Sequence, residues 1–221
     1  MKSIIQQHKY FFGTYIILLL IGLTIRLQIE KGDIIFFFSE NRQPFLDNFF
    51  GFATTLGEAI VYTLLIIGFL FVRYRYSILI FSAAAFAGVS GAVFKAIFRF
   101  PRPKPYFANM GIDISDIAVN GHDLYNSQVS SFPSGHTISA FTLFTVLALL
   151  CRNVYLKISL LLVAVTIGVS RIYLVHHFLE DVLLGSFIGI CIGLMIMMIH
   201  NSFPANKDIW YNRSLISKKV N

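Results

Sequence analysis

Residues 177–199 read HFLEDVLLGSFIGICIGLMIMMI, and the last eighteen of them contain no charged side chain. A helix that crosses a bilayer needs about 20 predominantly apolar residues, so this stretch predicts a membrane span. His177, Glu180 and Asp181 stand at its beginning. Because ionisable residues are costly inside a membrane, those that accompany a span are candidates for function.

Five further apolar runs precede this one, at about 10–25, 52–72, 77–98, 137–150 and 156–169. The composition agrees with a membrane location: 56% of the 221 residues are hydrophobic and 13% are charged, whereas a soluble domain carries about 25% charged residues. No small-residue cleavage site follows the first run, which is therefore interpreted as a span and not as a removed signal. We predict an all-α integral membrane protein, a single domain over 1–221, built as a six-transmembrane-helix bundle.

The distribution of charge predicts the orientation of this bundle. With six spans, both termini and the loops near 74 and 153 share one side, which carries ten cations and one acid, a net charge of +9. The other side carries eight cations and ten acids, a net charge of −2. Short loops rich in Lys and Arg remain cytoplasmic. We expect both termini in the cytoplasm of a bacterial cell and loops 28–51 and 104–132 on the periplasmic face of the inner membrane.

Three polar clusters fall on the predicted periplasmic side: KAIFRFPRP at 95–103, PSGH at 133–136 and SRIYLVHHFLED at 170–181. Together they supply cations, two candidate histidines, a carboxylate and a Ser-Gly turn. These groups could hold a phosphate, attack its phosphorus and protonate a leaving group.

The first cluster offers cations for phosphate. Lys95 and Arg99 are spaced to share one face of a helix. Pro101 and Pro103 are expected to end that helix and to hold Arg102 rigidly, which suits a guanidinium for bidentate contact with phosphate oxygens. The alternative is that these cations extend to lipid headgroups.

The second cluster is expected to open the helix of the 137–150 run. Backbone N–H groups at a helix start, with the Ser134 hydroxyl and the accessible backbone of Gly135, form a favourable cradle for an anion. His136 is placed where it could give a proton to a departing alkoxide. The alternative is an ordinary helix cap with an unrelated histidine.

The third cluster contains two competing His–carboxylate pairs. His177 and Asp181 can touch if they lie four residues apart on a helix, and the carboxylate would then orient the imidazole as a nucleophile. His176 and Glu180 have the same spacing and would point about 100° away. A metal site of His176, His177 and Asp181 is a third interpretation, although the cations of the other clusters would repel a metal ion.

Taken together, the clusters resemble the type 2 phosphatidic acid phosphatase (PAP2) superfamily of membrane lipid phosphatases. That family's pattern is Lys-x6-Arg-Pro, then Pro-Ser-Gly-His, then Ser-Arg-x5-His-x3-Asp. Residues 95–103, 133–136 and 170–181 contain all three motifs in this order and without departure. The resemblance implies a six-helix bundle and favours His177 with Asp181 over the neighbouring pair.

The resemblance also implies roles for individual residues. His177 would be the nucleophile that forms a phosphohistidine, and Asp181 would orient it. His136 would be the acid for the leaving lipid and then the base for water. The substrate phosphate would be bound by Lys95, Arg102, Ser134, Gly135 and Arg171. The family's reaction needs no metal ion, so we expect none here and no other cofactor.

The implied function is hydrolysis of a phosphate monoester or diphosphate on a membrane lipid. Candidate substrates are phosphatidylglycerol phosphate, phosphatidic acid, undecaprenyl diphosphate and lipid A 1-phosphate, and loop 104–132 is expected to select among them. The partners expected are this lipid and the bilayer, with no nucleic acid and no obligate protein. Two alternatives stay open: a lipid phosphotransferase that uses the same phosphohistidine, and a non-catalytic relative that binds or transports lipid.

Overall fold

The computed structural model describes residues 2–119, 122, 124, 130–204 and 209–216. These parts of the chain contain ten α-helices and no strand, so the all-α prediction is confirmed. The helices are α1 (Lys2–Gln7), α2 (Lys9–Gln28), α3 (Asp33–Glu40), α4 (Pro44–Thr55), α5 (Ala59–Leu70), α6 (Tyr74–Ile97), α7 (Pro103–Asn109), α8 (Gly135–Leu150), α9 (Val154–Tyr173) and α10 (Leu179–Ser202). Of the charges that were used to predict orientation, Asp123, Lys207, Asp208, Lys218 and Lys219 lie outside the described residues.

Four helices are long and apolar enough to cross a membrane: α2, α6, α9 and α10. Helices α4 and α5 are bent by 52° relative to each other and make a fifth span if the pair is counted as one. Helix α8 is apolar but has only 16 residues. The protein is therefore an integral membrane protein with four or five spans by this measure, and the count of six stays a prediction.

The structure adds detail to two predictions about the first third of the chain. The run 52–72 is not one continuous helix, because residues 56–58 form a break closed by backbone bonds such as that from Gly57 N to Thr54 O. Loop 28–51 is largely helical and contains α3 and most of α4. Both helices are stabilised by packing against the bundle. Phe38 of α3 and Phe50 of α4 contact the ring of Tyr173.

Helix α8 lies at the centre of the bundle, and eleven of its sixteen residues are buried. Helices α6, α9 and α10 surround it. Its closest approach is to α10, where Gly185, Gly189 and Gly193 form a stripe along one face. A Cβ atom on Gly189 would lie 2.6 Å from Cβ of Phe141 in α8. Small residues spaced by four allow membrane helices to pack this closely.

The ends of several helices meet at one end of the bundle. The last turn of α6 brings Lys95 to the first turn of α8, and the start of α8 is bonded to the first turn of α10. The end of α9 is held against the end of α4 through a bond from Arg171 to Thr54. All three sequence motifs are therefore assembled at this end.

Candidate active site

The spacing of the third motif is explained by a Schellman turn at the end of α9. The N–H of Val175 donates to the carbonyl of Ile172, and the N–H of His176 donates to the carbonyl of Arg171, which are the two bonds of that motif. Val175 has a φ of 59°, in the left-handed region that glycine usually occupies and that is strained for a β-branched residue. The turn delivers His177 directly after it, with its N–H also bonded to the Arg171 carbonyl.

His177 and Asp181 touch, as the sequence predicts, but for a different reason. His177 precedes α10, which begins at Leu179, so the pair does not lie on one helix. Asp181 is the third residue of α10, and its Oδ2 accepts a hydrogen bond of 3.0 Å from the N–H of Phe178 at the helix start. This is the position from which a carboxylate commonly reaches back to cap a helix. The same oxygen lies 3.1 Å from Nδ1 of His177.

Ser131 completes this arrangement, and sequence reasoning missed it. Its hydroxyl donates to Oδ2 of Asp181 and lies 3.2 Å from Nδ1 of His177. Its own N–H donates to the carbonyl of Phe100, which ties the first cluster to the third. Ser131 stands beside Ser130 just before the Pro-Ser-Gly-His motif, and no spacing rule distinguishes the two hydroxyls.

The environment of His177 disfavours protonation of its imidazole. The side chain is buried, and burial, followed by the positive charges of Arg102, Arg171 and Lys95, holds the pKa of His177 well below its ordinary value of about 6.5. The contact with Asp181 is therefore a hydrogen bond from a neutral ring. With the proton on Nδ1, the lone pair is on Nε2, which makes that nitrogen a potential nucleophile.

The second motif joins the first to the third. Gly135 is the first residue of α8, and a Cβ atom on it would lie 3.4 Å from Nζ of Lys95. Ser134 caps this helix: its Oγ accepts a bond of 2.9 Å from the Thr137 hydroxyl, and its N–H donates to the carbonyl of Asp181. The hydroxyl of Ser134 is fully buried, so its described contacts are structural ones.

Arg102 and Arg171 are both buried, and their described contacts orient them. Nη1 of Arg102 donates to the carbonyl of His176 at 3.3 Å. Nη1 of Arg171 donates to Oγ1 of Thr54 at 2.5 Å. Both acceptors are uncharged oxygens. His136, half-buried in the first turn of α8, lies within electrostatic range of these two arginines as well as of Lys95 and His177.

The prediction that Lys95 and Arg99 share one face of a helix is wrong. Helix α6 ends at Ile97, before Arg99, whose side chain is exposed. The helix therefore ends four residues ahead of Pro101. Pro103 does not stop a helix but starts one, as the first residue of α7, a position that suits its fixed φ and missing N–H.

The structure separates the two His–carboxylate pairs that the sequence left open. Glu180 does not face His176 but makes salt bridges of 3.1 Å with Arg26 and 2.9 Å with Lys31. The ring of His176 lies against that of His122, with 6.3 Å between the centroids. Among the described residues, no three His, Cys, Asp or Glu side chains come together as metal ligands. In the parts of the chain that the structure describes, the ring contacted by a carboxylate of the third motif is that of His177.

The assembled groups suit transfer of a phosphoryl group. A neutral histidine with an oriented lone pair lies in the field of three cations, and a second histidine shares that field. Cations held in a site of low water content stabilise charge that develops on phosphoryl oxygens.

Comparison with known proteins agrees with this chemistry. A model of the PAP2 superfamily matches residues 75–204, which contain all three motifs. This chain belongs to the PAP2 superfamily. The family prediction is confirmed.

Two solved structures share the fold. Aquifex aeolicus LpxE is 30% identical and has a TM-score of 0.58, over 75% of this chain and 93% of that protein. The first transmembrane PAP2 type phosphatidylglycerolphosphate phosphatase from Bacillus subtilis is 21% identical and has a TM-score of 0.60, over 90% of this chain and 98% of that protein. The comparison with curated proteins produced no match. The family and the apolar helices together support a membrane phosphatase.

Proposed function

We propose that this protein hydrolyses a phosphate monoester or diphosphate of a membrane lipid through a phosphohistidine. The observation that carries the proposal is the buried imidazole of His177, whose Nδ1 lies 3.1 Å from Oδ2 of Asp181. Groups with this arrangement are typical of covalent catalysis, in which an adjacent carboxylate orients the nucleophile.

In the first step, Nε2 of His177 attacks the phosphorus and the bond from phosphorus to the lipid oxygen breaks. Asp181 stabilises the positive charge that develops on the imidazole. When the anionic phosphate binds between the cations, it offsets their charge and allows His136 to take up a proton. His136 then donates this proton to the departing lipid oxygen, which leaves as an alcohol or, from a diphosphate, as a lipid monophosphate. Lys95, Arg102 and Arg171 stabilise the charge on the phosphoryl oxygens, with the backbone N–H of Gly135 assisting.

In the second step, water attacks the phosphohistidine. His136, now neutral, accepts a proton from this water. The bond from nitrogen to phosphorus breaks, inorganic phosphate leaves and His177 regains its lone pair. In this proposal the three cations neutralise charge as a metal ion would in other phosphatases, so turnover is expected to be independent of metal.

The lipid is proposed to approach from the membrane, with its headgroup at the site and its chains in the bilayer. Phosphatidylglycerol phosphate, phosphatidic acid, undecaprenyl diphosphate and lipid A 1-phosphate remain the candidates. The Bacillus subtilis relative acts, by its name, on phosphatidylglycerolphosphate, and this lipid therefore comes first in the assay.

We further propose six spans, with α4–α5 as one bent span and α8 as a short central one. Sixteen residues of α8 measure about 24 Å, less than the roughly 30 Å of hydrocarbon. Because neighbouring helices surround α8, its length does not have to match the thickness of the hydrocarbon. The site would then face the periplasm of a bacterial inner membrane, with both termini in the cytoplasm.

The test is release of inorganic phosphate by the purified protein in detergent, with EDTA present and each lipid supplied alone. We expect release from at least one lipid, none from His177→Ala and retained turnover in His176→Ala, because it is the ring of His177 that Asp181 contacts. Loss of turnover in His176→Ala with a normal His177→Ala would show that the other histidine is the nucleophile.

Two other outcomes would contradict parts of the proposal. A rate that disappears with EDTA and returns with a divalent ion would establish a metal-dependent reaction. No free phosphate until an acceptor lipid is added, followed by transfer to that lipid, would establish a phosphotransferase.

A further inference from the structure

We propose that Thr54 positions Arg171 for phosphate binding, and that contact of helix α4 with the membrane sets this position. The inference rests on the proposed function, in which Arg171 binds the substrate phosphate. Thr54 belongs to none of the three motifs and lies 117 residues from Arg171 in the chain.

The contact between the two side chains is short and enclosed. Oγ1 of Thr54 accepts a hydrogen bond of 2.5 Å from Nη1 of Arg171, and each residue is only 3% exposed. The threonine oxygen is uncharged, so this contact fixes the direction of the guanidinium without cancelling its charge. A carboxylate here would orient the arginine but compete with phosphate for it.

The inward face of α4 anchors the helix to the end of α9, where Arg171 lies. The Tyr173 hydroxyl donates to Oδ1 of Asp47, and the rings of Phe50 and Tyr173 have centroids 4.5 Å apart. One turn further along the same face, Thr54 is buried. Movement of α4 would therefore be transmitted to the end of α9.

The outward face of α4 is a stripe of three phenylalanines. Phe45, Phe49 and Phe52 are spaced by four and three residues, which places them on one side of a helix, and they are 74%, 43% and 65% exposed. On α5, Ile60 and Leu64 are also exposed. Since α4 and α5 together are long and apolar enough to form one bent span, the partner of the phenylalanine stripe in this proposal is the hydrocarbon of the adjoining leaflet.

The connection between α4 and α5 allows the two helices to differ in direction. They are bent by 52° at residues 56–58, where Gly57 lies in close contact with the bundle. A Cβ atom on Gly57 would be 2.9 Å from Cγ2 of Ile167 and 3.5 Å from the carbonyl of His136. The bend is thus fixed to the bundle at Gly57, and α4 packs against the end of α9 with Thr54 only three residues from the bend. Insertion of the phenylalanine stripe into the membrane would fix the angle of α4 relative to α9. This angle in turn determines where Thr54 lies.

The first experiment compares Thr54→Val, Thr54→Ser and Thr55→Val in lipid nanodiscs. Thr54→Val keeps the shape and removes the acceptor, so we expect kcat/KM to fall by about 10- to 100-fold, the usual effect of losing a hydrogen bond to a charged group. Thr54→Ser restores the hydroxyl and should recover most of this loss. Thr55→Val is the matched control, since the Thr55 hydroxyl bonds only to the carbonyl of Phe52 within α4.

Binding of vanadate, a phosphate analogue, gives a readout that a purely structural role would not change. Vanadate affinity can be measured from the rise in unfolding temperature as vanadate is added. It should fall about tenfold in Thr54→Val and stay constant in Thr55→Val. The unfolding temperature without vanadate should be similar in both variants. Equal vanadate affinity and equal turnover in the two variants would overturn the inference while leaving the proposed function intact. A wild-type protein that neither binds vanadate nor hydrolyses any lipid would overturn both.

The second experiment tests the role of the membrane by a double-mutant cycle. Replacement of Phe45, Phe49 and Phe52 together by Gln should lower kcat/KM in nanodiscs by about tenfold in the wild-type protein. The same replacement should cause little further loss in Thr54→Val, because both changes act on the same arginine. The control replaces Phe81 of α6 and Phe187 of α10, which are similarly exposed, and should leave turnover unchanged. Fully additive losses, or equal losses in the control, would show that α4 does not act through Thr54.

Discussion

An imidazole can attack phosphorus only while one ring nitrogen keeps its lone pair. The surroundings of His177 favour the form of the ring that has this lone pair. Cations around the ring oppose its protonation, while Asp181 and Ser131 hold the proton on Nδ1. The same cations are those proposed to bind the phosphate. In this proposal, one set of charges both disfavours protonation of the nucleophile and attracts the substrate.

The lowered pKa of His177 predicts how stability depends on pH. The unfolded chain binds a proton at His177 near pH 6.5 and the folded protein does not, so the free energy of unfolding should decrease as the pH falls below about 6.5. We expect the unfolding temperature in detergent to fall between pH 7 and pH 5.5, and to fall less steeply in His177→Asn. An identical pH dependence in this variant would show that the ring is not buried in a neutral form.

The chemistry of individual residues could be predicted because motif spacing specifies it. Lys95, Arg102 and the residues of the second and third motifs do meet at one end of the bundle. Ser131 and Thr54 could not be predicted, because each contributes one hydroxyl from a segment without a spacing signal. Their partners lie 50 and 117 residues away in the chain.

At the scale of helices, the packing of α8 against α10 determines the geometry of the site. The first turns of these helices supply His136 and Asp181, and the glycine stripe of α10 brings the two backbones together. The sequence indicated both helices by their apolar length. It could not indicate that α3 and α4 are helices, because short segments with mixed charges and rings lack the length that marks a span.

Gly189→Ala tests this packing. The added Cβ atom would lie 2.6 Å from Cβ of Phe141 and 2.8 Å from the carbonyl of Ile138, so α8 and α10 must separate, at a cost of about 1–3 kcal/mol. We expect a lower unfolding temperature in detergent and reduced turnover. Gly88→Ala of α6 is the control, since no atom lies within 4 Å of its added Cβ and alanine favours a helix. Equal stability of the two variants would contradict the close approach of α8 and α10.

At the scale of the whole molecule, both ends of the bundle carry cations, but these have different roles. The proposed cytoplasmic end carries cations that retain it on that side, whereas cations at the other end converge on the site. The positions of the spans follow from apolar length in most cases. The exceptions are α8, whose burial permits a short helix, and α4–α5, whose bend interrupts the run.

Single cysteines at the two ends test the orientation. In a variant with Cys151 and Cys191 replaced by Ser, we expect Ser115→Cys to react with a membrane-impermeant maleimide from the periplasmic side. Arg152→Cys, in the turn between α8 and α9, should react only after the membrane is permeabilised. Both positions are exposed, so the reverse pattern would show that the bundle is inserted with the site in the cytoplasm.

The most direct test of the central proposal is to trap the phosphohistidine and locate it. His136→Ala lacks both the acid of the first step and the base of the second, so the trap uses a ³²P-labelled lipid diphosphate, whose phosphate leaving group can depart without a proton donor. This substrate should leave an acid-labile, base-stable label on the denatured protein. Mass spectrometry of the peptide around residues 171–181 should place the phosphate on His177, and His177→Ala should abolish labelling. A phosphate on His176, or turnover without any labelled protein under conditions that trap a control phosphohistidine, would contradict this account.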